Sequence, residues 1–434
     1  MDAYWHKEIE TLPREQLTQL QLQRLSQTLH RAAASIFYRT LFKGAGLAPE
    51  SLTTIESLTA LPFTTREDLD AQPALAFVAV PQEQLVRVHT SSGTTGEAAV
   101  IFHTAADIQE WSELVARSLF MTGMRARDVF QNAMPYGLFT GGFGFQQGAE
   151  RLGALVIPVG SEGSRRQIRL MQTFGTTALH LTPSFALHLA GTFEKMGIDP
   201  HKETRLRMAF IGAEPHSEAT RDRIESLLGI KAFDSYGLSE MNGPGVAFEC
   251  PRQEGLHLWE DQFIAEIIDP HTLTPVKAGD EGELVLTTLM RRGMPLLRYR
   301  TKDLTRIIPE PCDCGRTHRR IARIQGRTDD MRIIKGVNIF PMQIEKRLMA
   351  IPSVGGNFQI LLERHGFDDE LIVNVEVQKH FFTGNLQELE RLRRAIARNL
   401  KAELAITPRV RLVEPGSLPR SRGKAVRVID NRPD

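Results

Sequence analysis

The sequence predicts a multidomain α/β protein with a large N-terminal domain of parallel βαβ units, a β-rich subdomain and a small α+β domain at the C-terminal end. Three observations support this fold class. Short β-rich runs alternate with longer helical stretches between about residues 85 and 228, a pattern typical of βαβ units. Between about 255 and 310, short strand-like runs separated by Gly and Pro follow one another. A polar segment at 326–330 then precedes about 105 residues of mixed helical and strand character.

Each element follows from the periodicity of the chain. Leu recurs every three or four residues between about 15 and 42, which predicts one long helix. Strands are predicted at 86–88, 154–157, 208–211, 283–288 and 305–308, with helices at 165–174 and 216–228. The C-terminal part is predicted to hold a helix after Pro341, a strand at 371–377, an amphipathic helix over about 386–400 and a strand near 410–412. The short polar segment near Asp329 suits a hinge, which divides the chain into 1–327, with the β-rich subdomain at about 250–325, and 328–434.

The composition bounds the class of protein. The chain has 434 residues, with 53 Lys and Arg against 52 Asp and Glu and a net charge of +1. This balance argues against a main task of binding nucleic acid or an anionic membrane. Three cysteines cannot cross-link a chain of this length, which excludes a disulfide scaffold. We expect a cytoplasmic enzyme, because no apolar stretch approaches the roughly 18 residues of a membrane span and the N-terminal residues lack the apolar core of a signal peptide.

A Ser/Thr/Gly-rich turn follows the first predicted strand. Its residues are Ser91, Ser92, Gly93, Thr94, Thr95 and Gly96. Glycines allow backbone N–H groups to approach phosphate oxygens, and the hydroxyls can donate further hydrogen bonds. The turn is not a Walker A loop, because it lacks the Gly-Lys-Ser/Thr ending. The residues therefore predict an anion cradle, with an ordinary polar loop as the alternative.

Five ordered segments resemble the signature of the adenylate-forming superfamily of acyl-CoA synthetases and luciferase-like enzymes. They are the turn at 91–96, Tyr236-Gly237-Leu238-Ser239-Glu240, Tyr299-Arg300-Thr301-Lys302-Asp303, Gly326-Arg327-Thr328-Asp329-Asp330 and Pro419-Arg420-Ser421-Arg422-Gly423-Lys424. Finer matches at 136–142, 212–215, 241–246 and 335–341 resemble its phenylacetate–CoA ligase branch. The resemblance covers nearly the whole chain. It implies a large adenylate-forming domain followed by a small mobile domain.

The resemblance implies an ATP-dependent aryl-acid–CoA ligase, with phenylacetate as the first expected acid. A carboxylate would attack the α-phosphorus of ATP to give acyl-AMP and pyrophosphate, and the thiol of coenzyme A would then release AMP. Two other functions stay open: an aryl-acid adenylating enzyme that loads a carrier-protein thiol, and a nucleotide- or zinc-binding module without catalysis. The expected partners are a small aromatic carboxylic acid, ATP with Mg²⁺ and CoA, and the resemblance also implies a homodimer.

The implied nucleotide contacts lie in these segments. The turn at 91–96 would hold the β- and γ-phosphates, although Glu97 stands where many superfamily members have lysine. Asp303 and Arg327 would bind the ribose hydroxyls, and Glu240 would help to hold Mg²⁺, which prefers carboxylate and phosphate oxygens. The remaining ATP- and AMP-binding residues are Ala213, Glu214 and Pro215 on one side of the adenine, Asp234, Ser235, Tyr236 and Gly237 on the other, with the Tyr236 ring stacked on the base, and Ser239.

Catalysis is assigned by resemblance to Lys424, whose ammonium would bridge the carboxylate and the α-phosphate. In the superfamily the small domain rotates between the two half-reactions, and Asp329 matches the hinge position. Rotation would bring the loop of Lys335 and Gly336 to the site for CoA, because Gly336 leaves room for the pantetheine arm beside the backbone.

The segment 136–142 matches the acid-binding segment of the family, in which aromatic walls and glycines suit a flat aryl ring. The implied pocket residues are Tyr136, Phe139, Gly141 and Gly142. The following Phe145-Gln146-Gln147 departs from the family pattern. A hydroxylated or amino-substituted aryl acid is therefore a close alternative substrate, with a glutamine amide pairing with the ring substituent, unless both glutamines face solvent.

All three cysteines lie between residues 250 and 314, which predicts a metal site. Cys250, Cys312 and Cys314 with one histidine would form a tetrahedral Cys₃His site for structural Zn²⁺. The fourth ligand is His257 or His318, and the resemblance of the segment around His257 to the family favours His257. Reduced cysteines without a metal are the alternative.

Overall fold

The computed structural model describes residues 3–91, 99–365, 368–381, 385–419 and 426–432. Its α-helices are α1 (Lys7–Glu10), α2 (Arg14–Ala32), α3 (Ile36–Ala45), α4 (Arg66–Ala71), α5 (Ala105–Met121), α6 (Thr140–Leu152), α7 (Ser164–Phe174), α8 (Pro183–Met196), α9 (Pro200–Glu203), α10 (Glu218–Leu228), α11 (Pro341–Met349) and α12 (Leu386–Leu404).

Strands form the layers on which the helices pack. They are β1 (Leu85–Thr90), β2 (Val100–Thr104), β3 (Val129–Asn132), β4 (Leu155–Ile157), β5 (Ala178–Leu181), β6 (Met208–Gly212), β7 (Lys231–Leu238), β8 (Gly243–Glu249), β9 (Leu256–Leu258), β10 (Phe263–Ile268), β11 (Gly282–Thr288), β12 (Tyr299–Thr305), β13 (Ile307–Ile308), β14 (Arg320–Ile321), β15 (Gly326–Arg327), β16 (Arg332–Ile334), β17 (Val337–Ile339), β18 (Val354–His365), β19 (Asp368–Val377), β20 (Arg409–Val413) and β21 (Val428–Asp430).

The largest sheet has nine strands in the order β13-β14-β9-β8-β7-β6-β5-β3-β4. Strands β7, β6, β5, β3 and β4 are parallel and are connected through α6, α7, α8 and α10, which confirms the predicted βαβ units. Strands β8, β9, β14 and β13 extend this sheet in antiparallel pairing. The sheet therefore carries the predicted nucleotide-binding segment on β7, at the junction of its parallel and antiparallel parts.

Two four-stranded sheets also belong to the mixed α/β fold. Strands β10-β11-β12-β15 form an antiparallel sheet of four strands, as the β-rich texture of that region predicts. Strands β20-β19-β18-β21 form the sheet of the C-terminal part. Helices α11 and α12 pack near that sheet through Ile344, Leu348, Ile396 and Leu400, which are buried.

Two details differ from the sequence predictions. The helix expected over 15–42 is split into α2 and α3, because Ser35 is extended and its side chain caps α3 by accepting a hydrogen bond from the backbone N–H of Tyr38. The strand at 86–88 is expected to begin the βαβ alternation, but β1 pairs antiparallel with β2 in a separate two-stranded sheet. The predicted phosphate-binding turn lies in the sequence between these two strands.

Apolar side chains form two buried clusters. One surrounds Trp111, Phe145 and Phe248 in the N-terminal part. The other contains Leu187 and Ile344, and joins α7, α8 and α10 to the C-terminal sheet and its helices. The C-terminal part is thus packed on the large sheet's helices in this structure. Among the described residues, no helix combines the length and apolar character that crossing a membrane requires.

Candidate active site and metal centre

The predicted phosphate-binding turn begins at Ser91, which is paired with Ala99 on the next strand's side. The backbone N–H of Ser91 donates to the carbonyl of Ala99 at 3.0 Å, and the N–H of Ala99 donates to the Ser91 hydroxyl at 3.2 Å. The β1–β2 pair therefore fixes the described residues on either side of the segment 92–98. The predicted residues within it lie outside the described residues: Ser92, Gly93, Thr94, Thr95 and Gly96. Lys424 also lies outside them.

Glu240, the predicted Mg²⁺ ligand, is buried just after β7. Its Oε1 accepts a hydrogen bond from the Tyr299 hydroxyl at 3.3 Å and lies 3.4 Å from a guanidinium nitrogen of Arg66. The backbone carbonyl of Glu240 accepts a hydrogen bond from Arg291. Burial, followed by the Glu240 carboxylate, raises the pKa of Tyr299 well above its usual value. Tyr299 therefore remains a neutral hydrogen-bond donor to Glu240 at physiological pH.

The two predicted ribose ligands meet on adjacent strands. Asp303 of β12 pairs in register with Arg327 of β15, and the two side chains approach to 3.3 Å. The Tyr236 hydroxyl donates to Asp303 at 2.6 Å, which joins the large sheet to the four-stranded sheet. Arg327 also binds Asp329 at 2.9 Å. The structure thus brings together Tyr236, Asp303, Arg327 and the predicted hinge residue.

The other predicted adenine residues line the ends of β6 and β7. Ser235 pairs in register with Gly212, and a Cβ at Gly237 would lie 2.1 Å from the Gly243 carbonyl, so only glycine fits there. Ala213 follows β6 with φ of 64°. Glu214 accepts hydrogen bonds from the backbone and hydroxyl of Ser184 at 3.1 and 2.8 Å. Pro215 and Asp234 belong to the same two strand ends.

Burial raises the pKa of Asp234 to about 6, and the nearby guanidinium of Arg323 acts in the opposite direction. The Asp234 backbone N–H donates to Glu249 at 2.8 Å, and Arg221 binds Glu249 at 2.8 Å. A network of buried charges therefore lies beneath the adenine segment and fixes β7 against β8.

The predicted acyl segment runs from Tyr136 into the first turn of α6. Gly141 and Gly142 are buried, whereas Tyr136 and Phe139 are partly exposed. A Cβ at Gly142 would lie 2.5 Å from the Pro135 carbonyl and 3.1 Å from the Tyr136 ring. Burial raises the pKa of Tyr136 to about 12. The segment is therefore a tightly packed wall with a neutral phenol.

Sequence reasoning missed the residues that support this wall. The Asn132 amide donates to the Tyr136 hydroxyl at 3.0 Å and to the Gly142 carbonyl at 2.7 Å. The His180 ring is 3.0 Å from the Asn132 amide oxygen, and Phe145 stacks on His180 with ring centroids 3.5 Å apart. Their positions in the chain could have indicated them. Asn132 and His180 pair in register at the carboxyl ends of parallel strands, where α/β proteins bind their ligands.

Neither of the two unusual glutamines of α6 is hydrogen-bonded to Tyr136 among the described residues. The Gln146 amide donates to Glu150 at 2.8 Å, on the exposed side of the helix. The backbone carbonyl of Gln147 accepts a hydrogen bond from Ser112 at 3.0 Å, which ties α6 to α5, whereas its side-chain Oε1 is buried without a hydrogen-bond partner among the described residues. Gln146 is therefore engaged elsewhere, and a glutamine that pairs with a ring substituent stays a prediction for Gln147 alone.

The predicted CoA loop is the tip of a hairpin. Lys335 and Gly336 join β16 to β17, and both have positive φ, of 53° and 78°, as a tight two-residue turn requires. Both residues are exposed. Within the described part of the chain they form no hydrogen bond with the other predicted site residues.

The four predicted metal ligands converge on one point. Cys250 follows β8, His257 lies in β9, and Cys312 and Cys314 precede β14; their ligand atoms all lie within 4.8 Å of one another. The sulfurs of Cys250 and Cys312 are 3.7 Å apart. Two sulfurs bound tetrahedrally to one zinc are about 3.8 Å apart, given Zn–S bonds of about 2.3 Å. The donor set and its spacing therefore fit Zn²⁺.

The hydrogen bonds of His257 and His318 show which of the two histidines is available as the fourth ligand. His257 Nδ1 is 3.2 Å from the His318 carbonyl, which leaves Nε2 facing Cys314 at 3.2 Å. This is the usual support of a metal-binding imidazole. Both ring nitrogens of His318 are engaged elsewhere, with the backbone of Glu260 and Ile9 at 3.0 Å each. The hydrogen bond with Cys250 lowers the pKa of the Cys314 thiol far below its ordinary value.

Comparison with known proteins identifies the family. The profile of the AMP-binding enzyme family matches residues 18–290, and that of the AMP-binding enzyme C-terminal domain matches residues 336–432. The chain belongs to the AMP-binding enzyme family, that is, to the adenylate-forming superfamily. Within it the chain lies on the phenylacetate–CoA ligase branch. It is 44% identical to the phenylacetate-coenzyme A ligase of Thermus thermophilus over 99% of both chains, and 42% identical to that of Escherichia coli over 98% of this chain and 97% of the relative.

Solved structures of a 2-hydroxyisobutyryl-CoA ligase show which arrangement the chain adopts. The postadenylation state with 2-HIB-AMP matches with a TM-score of 0.94 at 30% identity, over 99% of this chain and 93% of that one. The thioesterification state with 2-HIB-AMP and CoA matches with 0.73 at 31% identity over the same shares. Because identity is nearly equal and coverage is the same, the difference lies in the arrangement of the parts. The structure resembles the postadenylation state.

Proposed function

We propose that this protein is an ATP-dependent aryl-acid–CoA ligase that forms an acyl-adenylate and then a thioester, releasing AMP and diphosphate. One observation carries the proposal. The hydroxyl of Ser239, in the nucleotide segment, is 3.0 Å from that of Thr140, the first residue of α6 in the acyl segment. This contact supports a bound acid whose carboxylate reaches the α-phosphate of ATP.

The chain's own residues have distinct tasks in this proposal. Tyr236 holds Asp303 in place for the ribose hydroxyls, and Arg327 donates to the same ribose. Glu240 would hold Mg²⁺, which offsets phosphate charge when bound. Lys424 stabilises the charge that develops as the carboxylate attacks phosphorus.

We propose phenylacetate as the acid, because Tyr136 and Phe139 offer an aromatic wall whose one hydroxyl, that of Tyr136, already accepts a hydrogen bond from Asn132. The phenylacetate-coenzyme A ligases at 42–44% identity support the same choice. We further propose a homodimer and a cytoplasmic location, testable by light scattering and cell fractionation.

The deciding experiment is pyrophosphate release across a panel of aryl acids, with CoA or a phosphopantetheinylated carrier protein as acceptor. We expect release with phenylacetate, and thioester formation with free CoA alone. Turnover only with the carrier would favour a carrier-loading enzyme. No acid-dependent release with any aryl acid would favour a binding module and refute the proposal.

We also propose that Cys250, His257, Cys312 and Cys314 bind a structural Zn²⁺. Four protein ligands leave no open position for a substrate, so the ion would support the fold. It would join the ends of β8, β9 and the segment before β14, beside the strand that carries Tyr236.

Metal analysis of protein purified without chelator tests this site. We expect about one Zn²⁺ per chain, lost in Cys312→Ser, with a lower melting temperature in that variant. The matched control is Asp313→Ser, which introduces the same side chain into the same turn and should retain the metal. Absence of zinc from the wild-type protein would refute the site.

A further inference from the structure

Arg66 connects a helix outside every recognised segment to the nucleotide site. It is the first residue of α4, whose start is fixed by a capping box between Thr65 and Asp68. The Nε of Arg66 lies 2.9 Å from both carboxylate oxygens of Asp70, one turn later. The helix and this ion pair hold Nε of the guanidinium in place. The two terminal nitrogens of the group are therefore also held in a defined position.

That other end lies between two proposed nucleotide-binding groups. Nη1 of Arg66 is 2.5 Å from the Ser91 hydroxyl at the start of the phosphate-binding turn. The same atom is 3.4 Å from Oε1 of Glu240, the proposed Mg²⁺ ligand. Glu240 is nearly inaccessible and Arg66 is partly accessible, with side-chain exposures of 9% and 24%. The Arg66 guanidinium is therefore the more accessible member of this pair, and it faces the buried carboxylate of Glu240.

A cation beside the predicted phosphate-binding turn would complement the charge of a bound triphosphate. The residues 91–96 contain no Lys or Arg, and Glu97 adds a negative charge. Among the described residues, no other Lys or Arg is hydrogen-bonded to the Ser91 hydroxyl or to the Glu240 carboxylate. A triphosphate is a polyanion, and a guanidinium binds phosphate oxygens through two parallel hydrogen bonds. Arg66 has the charge, the position and a weak contact to exchange.

We propose that Arg66 binds the β- and γ-phosphates of ATP, exchanging its contact with Glu240 for the phosphates and leaving that carboxylate for Mg²⁺. The inference rests on the proposed function and adds a residue to its nucleotide site. Because AMP lacks these two phosphates, Arg66 distinguishes ATP and pyrophosphate from AMP.

Isothermal titration calorimetry with Mg-ATP, Mg-pyrophosphate and AMP tests the proposal without any acid or turnover. Arg66→Gln is expected to weaken ATP and pyrophosphate binding about tenfold or more, as loss of a charge-assisted hydrogen bond implies, and to change AMP binding less than about twofold. Arg66→Lys, which keeps the charge, should lose less. The matched control is Glu67→Gln, which removes the neighbouring Glu67–Lys302 pair of 2.9 Å and should leave all three affinities unchanged.

Equal weakening of all three ligands would mean a structural role and overturn the proposal, as would unchanged ATP binding. If Arg66→Gln does not fold, the exposed Asp70→Asn decides: it frees the guanidinium, and a selective loss of about threefold for ATP is expected, whereas no selective loss refutes the idea. Failure of the proposed function is separate, because it would appear as wild-type protein that binds ATP yet releases no pyrophosphate with any acid.

Discussion

Glu345 of α11 joins the C-terminal part to the start of α10, and its replacement should shift the balance between the two half-reactions. The carboxylate accepts hydrogen bonds from the Ser217 backbone N–H at 3.4 Å and from the Thr220 hydroxyl. Ser217 is the N-cap of α10, so the negative charge also faces a helix N-terminus. These contacts exist in an arrangement that resembles the postadenylation state, and rotation of the C-terminal part would break them.

The size of the effect follows from these contacts. A hydrogen bond to a charged group contributes about 1.5–3 kcal/mol, and a carboxylate at a helix N-terminus about 0.3–2 kcal/mol. The second oxygen of Glu345 is buried without a hydrogen-bond partner among the described residues, which subtracts about 1–3 kcal/mol. The midpoints of these ranges leave a net of about 1.5 kcal/mol, which corresponds to a roughly tenfold shift in the conformational equilibrium. Glu345→Gln should therefore depopulate this arrangement by about that factor.

The assay measures each half-reaction alone. Acid-dependent exchange of pyrophosphate into ATP reports adenylation, and thioester formation from supplied acyl-AMP and CoA reports the second step. We expect Glu345→Gln to slow the first and to leave the second unchanged or faster. Arg347→Gln is the matched control, because Arg347 lies on the same helix as Glu345 but forms its ion pair with Glu403 of α12. Equal slowing of both half-reactions in Glu345→Gln would refute the reasoning.

Three further predictions concern catalysis, the acyl wall and stability. Lys424→Ala should abolish adenylation while thioester formation from supplied acyl-AMP continues; equal loss of both steps contradicts its assignment. Gly142→Ala should raise the KM for phenylacetate about tenfold or more with little change for ATP, because the new Cβ would meet the Pro135 carbonyl at 2.5 Å; an unchanged KM refutes it. Burial acts to raise the pKa of Asp261, but Arg117 at 2.9 Å holds it well below its usual range, so its stabilising effect is present above about pH 4 and is lost as the pH falls. Asp261→Asn should lower the free energy of unfolding by about 3–5 kcal/mol at pH 7, and urea denaturation should show that deficit shrinking below about pH 4.

The sequence was sufficient to predict those features that depend on residues within one short segment. The parallel strands, the β-rich sheet and the C-terminal helices follow from local periodicity, and the structure confirms them. The clustering of Cys250, His257, Cys312 and Cys314 could also be anticipated, because few cysteines in one region narrow the choice. A helix break that depends on a single capping residue was harder to predict. Ser35 divides the predicted helix into α2 and α3, although the apolar spacing continues through this position.

Long-range partners could not be predicted in the same way. Arg66 is 174 residues from Glu240, and Asn132 is 48 residues from His180. A single polar residue at a helix start or strand end carries no periodic signal, and its role appears only when the sheets are assembled. The separate β1–β2 pair was missed for a related reason, since antiparallel pairing across a loop leaves no mark in either strand.

The proposed metal and the proposed chemistry are coupled through one strand. Strand β8 pairs with β7 on one side and with β9 on the other, so Cys250 directly follows the strand next to that of Tyr236, and His257 lies one strand further away. Tyr236 in turn holds Asp303 across to the second sheet at 2.6 Å. Loss of a structural ion would loosen this chain of contacts at the ribose before it reached the acyl wall on α6. Zinc removal should therefore weaken AMP and ATP binding together, whereas the effect of Arg66 is confined to ligands with β-phosphate.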